Sequence, residues 1–425
     1  MTPVLKMLTD AGVQVVILVP DYKEDYFKRA FGGENIIIEG VKSYIFSRSF
    51  LGLAFKRMSR PILNTHTSKI RCLQKLKSEK KYFYYYFFML PAKILGRFAW
   101  FRRFFRWADF HLAPLKGYFF GLFDKYHPDL IVVTDVNNEN DVALLQDSKR
   151  RGIKTACVVR SWDNLTNFYM RAKPDKLIVS NELLKKQAIE LQGFRSEDVG
   201  VVGIPHCDRY IKGPTEPKEA FFKKRGLDIN KRLILYVPVA DFRVKENDVD
   251  SYMLEILSKL DLNILIRIPP AGVLSRENMP SAPNLHFEQP GLPFKFKGDS
   301  EITKEDDDGL INSFYYADLV VTGPGTMNID AAVFNKPIIL VNFYKKPKPY
   351  FESIIEYDYD HIQSILKSGG AVVVKSEEEL LNEVENYLRN PSKDFTGRKK
   401  IVEEQCDRLG GASNRMADYI LKILK

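Results

Sequence analysis

Short apolar runs rich in Val and Ile recur along this chain, each separated from the next by a stretch of helical pattern. Residues 13–20 read VQVVILVP, 130–134 LIVVT, 155–159 TACVV, 176–180 KLIVS and 199–202 VGVV, with a further short run at 36–38. Runs this short and this apolar predict strands buried on both faces, as in a parallel sheet. Helices are expected between them. Thr2-Pro3 opens one that Gly12 closes, residues 141–151 form another ended by Gly152, and residues 182–192 a third. Such alternation specifies an open parallel sheet with helices on both faces.

A second series begins near residue 231. Its strands are expected at 233–237, 264–268, 285–287, 319–322, 337–341 and 371–374, with a last helix at 413–424 after the sheet is complete. Two series in 425 residues predict two domains. The polar, Pro-rich stretch at 213–219 is the expected connector, so the division is placed at 1–213 and 214–425. The start is unusual. A doubly wound domain opens with a strand and a glycine turn before its first helix, yet here the helix begins at Thr2. The expectation is that this opening strand is missing from the start, or that another segment fills its place. Its neighbours would otherwise carry bare backbone groups.

The formal net charge is +10, and much of it gathers between residues 69 and 125. Lys77, Lys80, Lys81, Lys93, Arg97, Arg102, Arg103, Arg106 and Lys116 stand there among dense aromatics, including Trp100, Phe104 and Trp107. Cations attract anionic headgroups, and Trp and Phe enter the headgroup boundary. An anionic membrane surface is therefore the expected partner. Core helices with cationic outer faces are the plainer reading of the same residues. Stacking on single-stranded nucleic acid lacks any supporting motif. The four cysteines are scattered without a CxxC pair, which fits a reducing compartment and gives no zinc site. No leader pattern and no transmembrane run is read, so a cytoplasmic location is expected.

Ligands of open α/β sheets bind at the carboxyl ends of the strands. The clearest such place is DLVVTGPGTMNID, residues 318–330. Gly323, Pro324 and Gly325 make a turn without bulk, and Thr326 and Asn328 open a helix whose N–H groups suit a diphosphate. Asp330 lies one turn on, where a carboxylate would accept from ribose hydroxyls. Arg243 and Arg267 follow two other strands and would neutralise phosphate. Asp163 and Asp135 end strands of the first series and are the candidate general bases, with His206 a third candidate near the connector. Each of the three has a simple structural alternative as a cap or a satisfied turn residue. Asp306, Asp307 and Asp308 read as a solvated loop, and no metal site is expected.

The order of LYVP, Arg243, RIPP, strand–GPGT–helix–KPIILV and the late GGASNRMADYIL resembles the C-terminal half of GT-B enzymes. VVRSWDNLTN and VVGIPHCDRY resemble first-domain segments of the same enzymes. The nearest families are bacterial surface-polysaccharide glycosyltransferases, CDP-glycerol glycerophosphotransferases and UDP-N-acetylglucosamine 2-epimerases. The resemblance implies two Rossmann-like domains facing a central cleft, with the last helix crossing back to the first. It implies a nucleotide-sugar donor held by the second domain, no metal and no other cofactor. The implied activity is a glycosyltransferase acting on a lipid-linked or glycan acceptor at the inner face of the cell membrane. Asp330 with Asn328 replaces the Glu pair of the epimerases, and GPGT replaces the serine-rich turn of the phosphotransferases. An alditol-phosphate transferase, an epimerase-like enzyme and a non-catalytic binding protein are the alternatives.

Overall fold

The computed structural model describes residues 2–42, 50–112, 116–135, 137–239, 244, 247–270, 279–294 and 299–425. The chain divides into two compact units. Unit 1 comprises residues 1–205 and 407–425, and unit 2 comprises 206–406. The division thus falls after Pro205 rather than at Gly213, and the last helix belongs to unit 1. The expected connector at 213–219 is part of unit 2. Thr215 N–H donates to Asn312 Oδ1 at 2.8 Å, and Tyr316 O–H donates to the Glu216 carbonyl at 2.6 Å, so this stretch is pinned to its own unit.

In unit 1 the helix Thr2–Asp10 leads into β1 (Val15–Pro20), and the helix Glu24–Phe31 into β2 (Ile36–Val41). These two strands pair in parallel. Four more parallel strands follow, β3 (Leu130–Val133), β4 (Lys154–Val158), β5 (Lys176–Val179) and β6 (Val199–Val201), side by side in chain order. Local chemistry sets the helix ends between them. Asn181 accepts from Leu184 N–H at the start of Glu182–Gln192, and Gly193 at φ 73° closes it. The helix Ala412–Leu424 returns to this unit and packs Met416, Ala417 and Ile420 with Val4, Leu8, Ile178 and Val202.

The basic–aromatic segment is divided by face. In the helix Ala99–Leu112, Phe105, Ala108 and Asp109 are buried, while Trp100, Phe104 and Trp107 are 61%, 52% and 56% exposed. Their spacing of four and three residues puts the exposed rings on one stripe. The inner face is held by charge. Buried Arg171 makes two bonds to Asp109, at 2.9 and 3.0 Å, and two to Glu139. Arg106, expected among the cations facing outward, instead donates to the carbonyls of Met170 and Gln192 at 2.8 and 2.9 Å. No helix among the described residues is long and apolar enough to cross a membrane.

Unit 2 is a six-stranded parallel sheet. Its strands are β7 (Leu233–Val237), β8 (Asn263–Arg267), β9 (Leu285–Glu288), β12 (Leu319–Thr322), β13 (Ile338–Val341) and β14 (Val372–Val374). The small antiparallel pair β10 (Leu292–Pro293) and β11 (Ser300–Glu301) stands apart. The strand order is 14-13-12-7-8-9, so the first strand is central and the chain winds outward from it both ways. Every residue of β7, β8, β12 and β13 is buried, which is why these segments carry no polar alternation. The Asp306–Asp308 run is not a loop. It lies at the start of the helix Lys304–Tyr316, with Asp306 and Asp307 in the first turn, where Thr303 and Asp306 make a reciprocal capping box. Carboxylates are favoured there by the helix dipole.

Candidate functional site

Two sets of candidate residues gather at strand ends, one in each unit. In unit 2, β12 ends at Thr322 and the chain turns through Gly323, Pro324 and Gly325 into the short helix Met327–Val333. The first glycine is required by packing, since a Cβ there would stand 3.0 Å from Val239 Cγ2, just beyond β7. Asn328 is fully buried, and its Nδ2 donates to the Gly323 carbonyl at 3.4 Å. Its Oδ1 has no hydrogen-bond partner among the described residues. A buried acceptor left open costs about 1–3 kcal/mol, and a ligand N–H or O–H would satisfy it.

Asp330 follows on the same helix. Tyr210 O–H donates to its Oδ1 at 3.1 Å, and the Tyr210 oxygen lies 3.3 Å from His206 Nδ1. His206 Nε2 meets Asp307 Oδ1, and Arg209 pairs with Asp307 and Asp308. Four groups are therefore linked in a row: Asp307, His206, Tyr210 and Asp330. The sequence marked His206 and Asp330 for different tasks, and the structure joins them. Tyr210 went unnoticed, although its spacing of four from His206 puts both on one side of the helix Cys207–Tyr210. Burial raises the Asp330 carboxyl to about 6, against the opposing pull of His206 and the Tyr210 hydrogen bond. Burial also lowers the His206 pKa, partly countered by the Asp330 charge. Tyr210 is pushed well up, first by burial and then by Asp330.

The two arginines stand differently. Arg267 ends β8, but its side chain is only 5% exposed and pairs with Glu288, while its Nη2 donates to the Asp306 carbonyl. It fastens the start of the Lys304–Tyr316 helix to the sheet and has no free face for a phosphate. Arg243 lies outside the described residues.

In unit 1, Asp135 follows β3. Its Oδ1 accepts from Asn137 and Asn138 N–H at 2.8 and 3.3 Å, and Arg160, beyond β4, approaches its Oδ2 at 3.7 Å. Asp141 reaches back from the helix Glu139–Arg150 to accept from Asp135 N–H at 2.8 Å and Thr134 N–H at 3.2 Å. Burial raises Asp141 to about 6, and the Asp135 charge adds to this. The sequence reading missed Asp141, whose only signal is its position in the first turn after β3. Asp163 accepts from Ser161 O–H and, at 3.4 Å, from Asn167 Nδ2, which ties the turn after β4. Asp135 thus closes the turn after β3, whereas Asp163, although it stands at the N-cap of the helix Asn164–Asn167, makes no side-chain cap to it. Among the described residues no group of three or more His, Cys, Asp or Glu is placed to hold a metal.

No family model and no curated protein matches the chain. Solved structures do. A glycosyltransferase from Rickettsia africae is 14% identical, covering all of this chain and 93% of its own, with a TM-score of 0.49. A UDP-GlcNAc 2-epimerase from Neisseria meningitidis, bound to UDP-GlcNAc, is 13% identical over 76% of this chain and 82% of its own, with a TM-score of 0.49. One from Methanocaldococcus jannaschii, in complex with UDP-GlcNAc and UDP, is 16% identical over 71% and 78%, with a TM-score of 0.47. Likenesses of this strength bring no chemistry to this chain, whose site rests on its own residues.

Proposed function

We propose that this chain is a metal-independent glycosyltransferase of the GT-B kind, taking a sugar from a nucleotide-activated donor bound in unit 2. The observation that carries the reading is the half-buried Asp330, bonded to Tyr210 and facing His206, beside the Asn328 Oδ1, which has no partner among the described residues, at the carboxyl edge of a doubly wound sheet. An ionised buried carboxylate needs hydrogen-bond donors. Ribose hydroxyls of a nucleotide supply them, to Asp330 and Asn328 together. The backbone of Gly325 and Thr326 would face the diphosphate. In the transfer itself an acceptor hydroxyl attacks the anomeric carbon, the nucleotide leaves with the bonding pair, and a carboxylate takes the hydroxyl proton. Asp163 and Asp135 remain the proposed bases, and Asp141 joins them because a carboxyl near 6 is better matched to neutral pH.

The proposed acceptor is lipid-linked or a glycan at the inner membrane face. The support is the exposed stripe of Trp100, Phe104 and Trp107, with Phe83 and Phe87 67% and 66% exposed and Lys80, Lys81, Arg97 and Arg103 exposed nearby in sequence. The test of the donor site is a thermal-shift series with UDP, GDP, CDP, dTDP and CMP on the chain and on Asp330→Asn. One nucleoside diphosphate should raise the melting temperature of the chain, and Asp330→Asn should lose most of that rise. If no nucleotide shifts the chain, or if the variant responds as well as the parent, the donor site is elsewhere or absent.

A further inference from the structure

The row of four linked groups in unit 2 has a single hydroxyl at its middle. Tyr210 is 3% exposed, and its ring lies 4.9 Å from that of Phe334, which stacks on Phe314 at 5.7 Å. The packed ring holds the hydroxyl between Asp330 Oδ1, at 3.1 Å, and His206 Nδ1, at 3.3 Å, its partners among the described residues. A phenol has one proton to give and lone pairs with which to accept. What it can do for both neighbours depends on how many protons they carry.

Three proton counts are distinct. With no proton on Asp330 or on Nδ1, two acceptors compete for one O–H. With a proton on each, two donors meet the phenol oxygen, and the phenol's own O–H has neither neighbour to give to. With one proton between them every bond is made. Either Nδ1–H donates to the phenol oxygen and the phenol O–H donates to an ionised Asp330, or a protonated Asp330 donates to the phenol oxygen and the phenol O–H donates to Nδ1. The two forms interconvert in balance. The carboxyl proton passes to the phenol oxygen as the phenol proton passes to Nδ1, which leaves a carboxylate, a phenol and an imidazolium. A polar group left unmatched in a buried place is costly, so the one-proton state is favoured over both of the others.

The surroundings bring the two sites level. Burial raises the Asp330 carboxyl to about 6 and lowers His206 from its ordinary value, and the Arg209 charge lowers His206 further. Neither site then holds the proton far more tightly than the other. The second ring nitrogen is committed elsewhere. Nε2 meets Asp307, which also pairs with Arg209, as Asp308 does, so the proton that moves is the one at Nδ1. The Cys207 thiol, close to Tyr210, is pushed up by Cys406 and by burial and stays protonated. We propose that Tyr210 makes Asp330 and His206 a one-proton pair, and that hydroxyls donated to Asp330 by a bound nucleotide drive that proton onto His206. The ligand step rests on the reading of Asp330 as a donor-site carboxylate. Ribose hydroxyls hold Asp330 ionised, and only the form with the proton at Nδ1 remains. Arrival of an uncharged sugar edge is thereby converted into a positive charge on a side chain that is 44% exposed. Tyr210 acts through its two neighbours, as a positioning residue.

An NMR pH titration of the chain, reading the His206 ring nitrogens and the Asp330 carboxyl carbon, tests the pair without ligand. Both sites should respond in the same two steps, with a one-proton plateau between them. In Tyr210→Phe, which keeps the ring packing, the steps should draw together by about one pH unit or more, the lower moving up and the upper moving down. An unchanged separation would overturn the proposal. The ligand step is read at the pH of the plateau with UDP, GDP, CDP and dTDP. The nucleotide that binds should move His206 of the parent to its imidazolium position, with little proton release by calorimetry in two buffers of different ionisation heat. Its 2′,3′-dideoxy form should leave His206 as it was. In Tyr210→Phe and in His206→Gln the binding should release protons to the buffer. A parent that releases its proton on binding, or a Tyr210→Phe chain whose His206 charges as fully as the parent's, would overturn the proposal. Should none of the four nucleotides bind, the donor-site reading is what fails, and the ligand-free titration alone upholds or overturns the one-proton pair.

Discussion

Asp330 shows how one residue's surroundings fix its behaviour. Burial outweighs the pull of His206 and the Tyr210 hydrogen bond, so its folded pKa is raised to about 6, above the ordinary carboxylate value of about 3.9. A raised carboxyl binds its proton more tightly in the folded state. Its contribution therefore favours folding when protonated and is lost as pH rises from about 4 through about 6. Asp330→Asn should remove that loss. We expect the variant to gain about 1–3 kcal/mol relative to the parent between pH 4 and pH 7.5, read from urea unfolding at both. The lower end of that range allows for the residue's partial solvent contact. Tyr210→Phe should act in the opposite sense to a cation. The Tyr210 hydrogen bond lowers Asp330, so its removal should move the midpoint above 6, and a pH titration of Asp330 by carboxyl NMR would show it. Nucleotide affinity should weaken below pH 6 in the parent, where Asp330 takes its own proton and can no longer accept two hydroxyls.

At the scale of elements, most of what the sequence promised is present and the misses have physical causes. Every predicted strand exists, because strands of a parallel sheet, covered wholly in β7, β8, β12 and β13 and partly in β1 and β3, leave a short apolar run. The acidic stretch at 306–308 was misread since its charges suggested solvent, although Thr303 three residues before Asp306 is the signature of a helix start. Thr303→Ala should cost about 1 kcal/mol, seen in the unfolding midpoint. Of the candidate site, the turn at Gly323–Asp330 was legible as a pattern, but Arg267's burial was not, because its partner Glu288 is on the neighbouring strand and pairing across a sheet leaves no mark in sequence. The aromatic helix was legible in composition only. Which cations face out depends on carbonyls of Met170 and Gln192 that hold Arg106 in. Hence two outcomes separate its faces. Trp100, Phe104 and Trp107 changed together to Ser should leave the melting temperature nearly unchanged and weaken retention on vesicles rich in anionic lipid. Arg171→Ala should leave Asp109 unpaired and destabilise unit 1 by about 3–5 kcal/mol, with the calorimetric transition as the readout.

For the whole molecule the return of the last helix matters most. Residues 407–425 supply Met416, Ala417 and Ile420 to unit 1's core, and Tyr419 lies so close to Gly200 that a Cβ there would come 2.5 Å from its ring. Gly200→Ala should therefore loosen this helix and lower the stability of unit 1 by about 1–3 kcal/mol, while unit 2 keeps its melting temperature. The domain boundary was misplaced for a related reason. A sequence is scanned as a line, and a unit built from two separated stretches has no linear boundary to find. Unit 2 is in effect an insert, and its first and last residues lie near one another, since the buried thiol of Cys406 is close enough to Cys207 to help push its pKa up. That has a consequence during synthesis. Unit 2 is one uninterrupted stretch and can condense as soon as it has emerged from the ribosome. Unit 1, begun first, must wait with part of its core open until residues 407–425 arrive. The half that starts the chain is thus the half that finishes folding last.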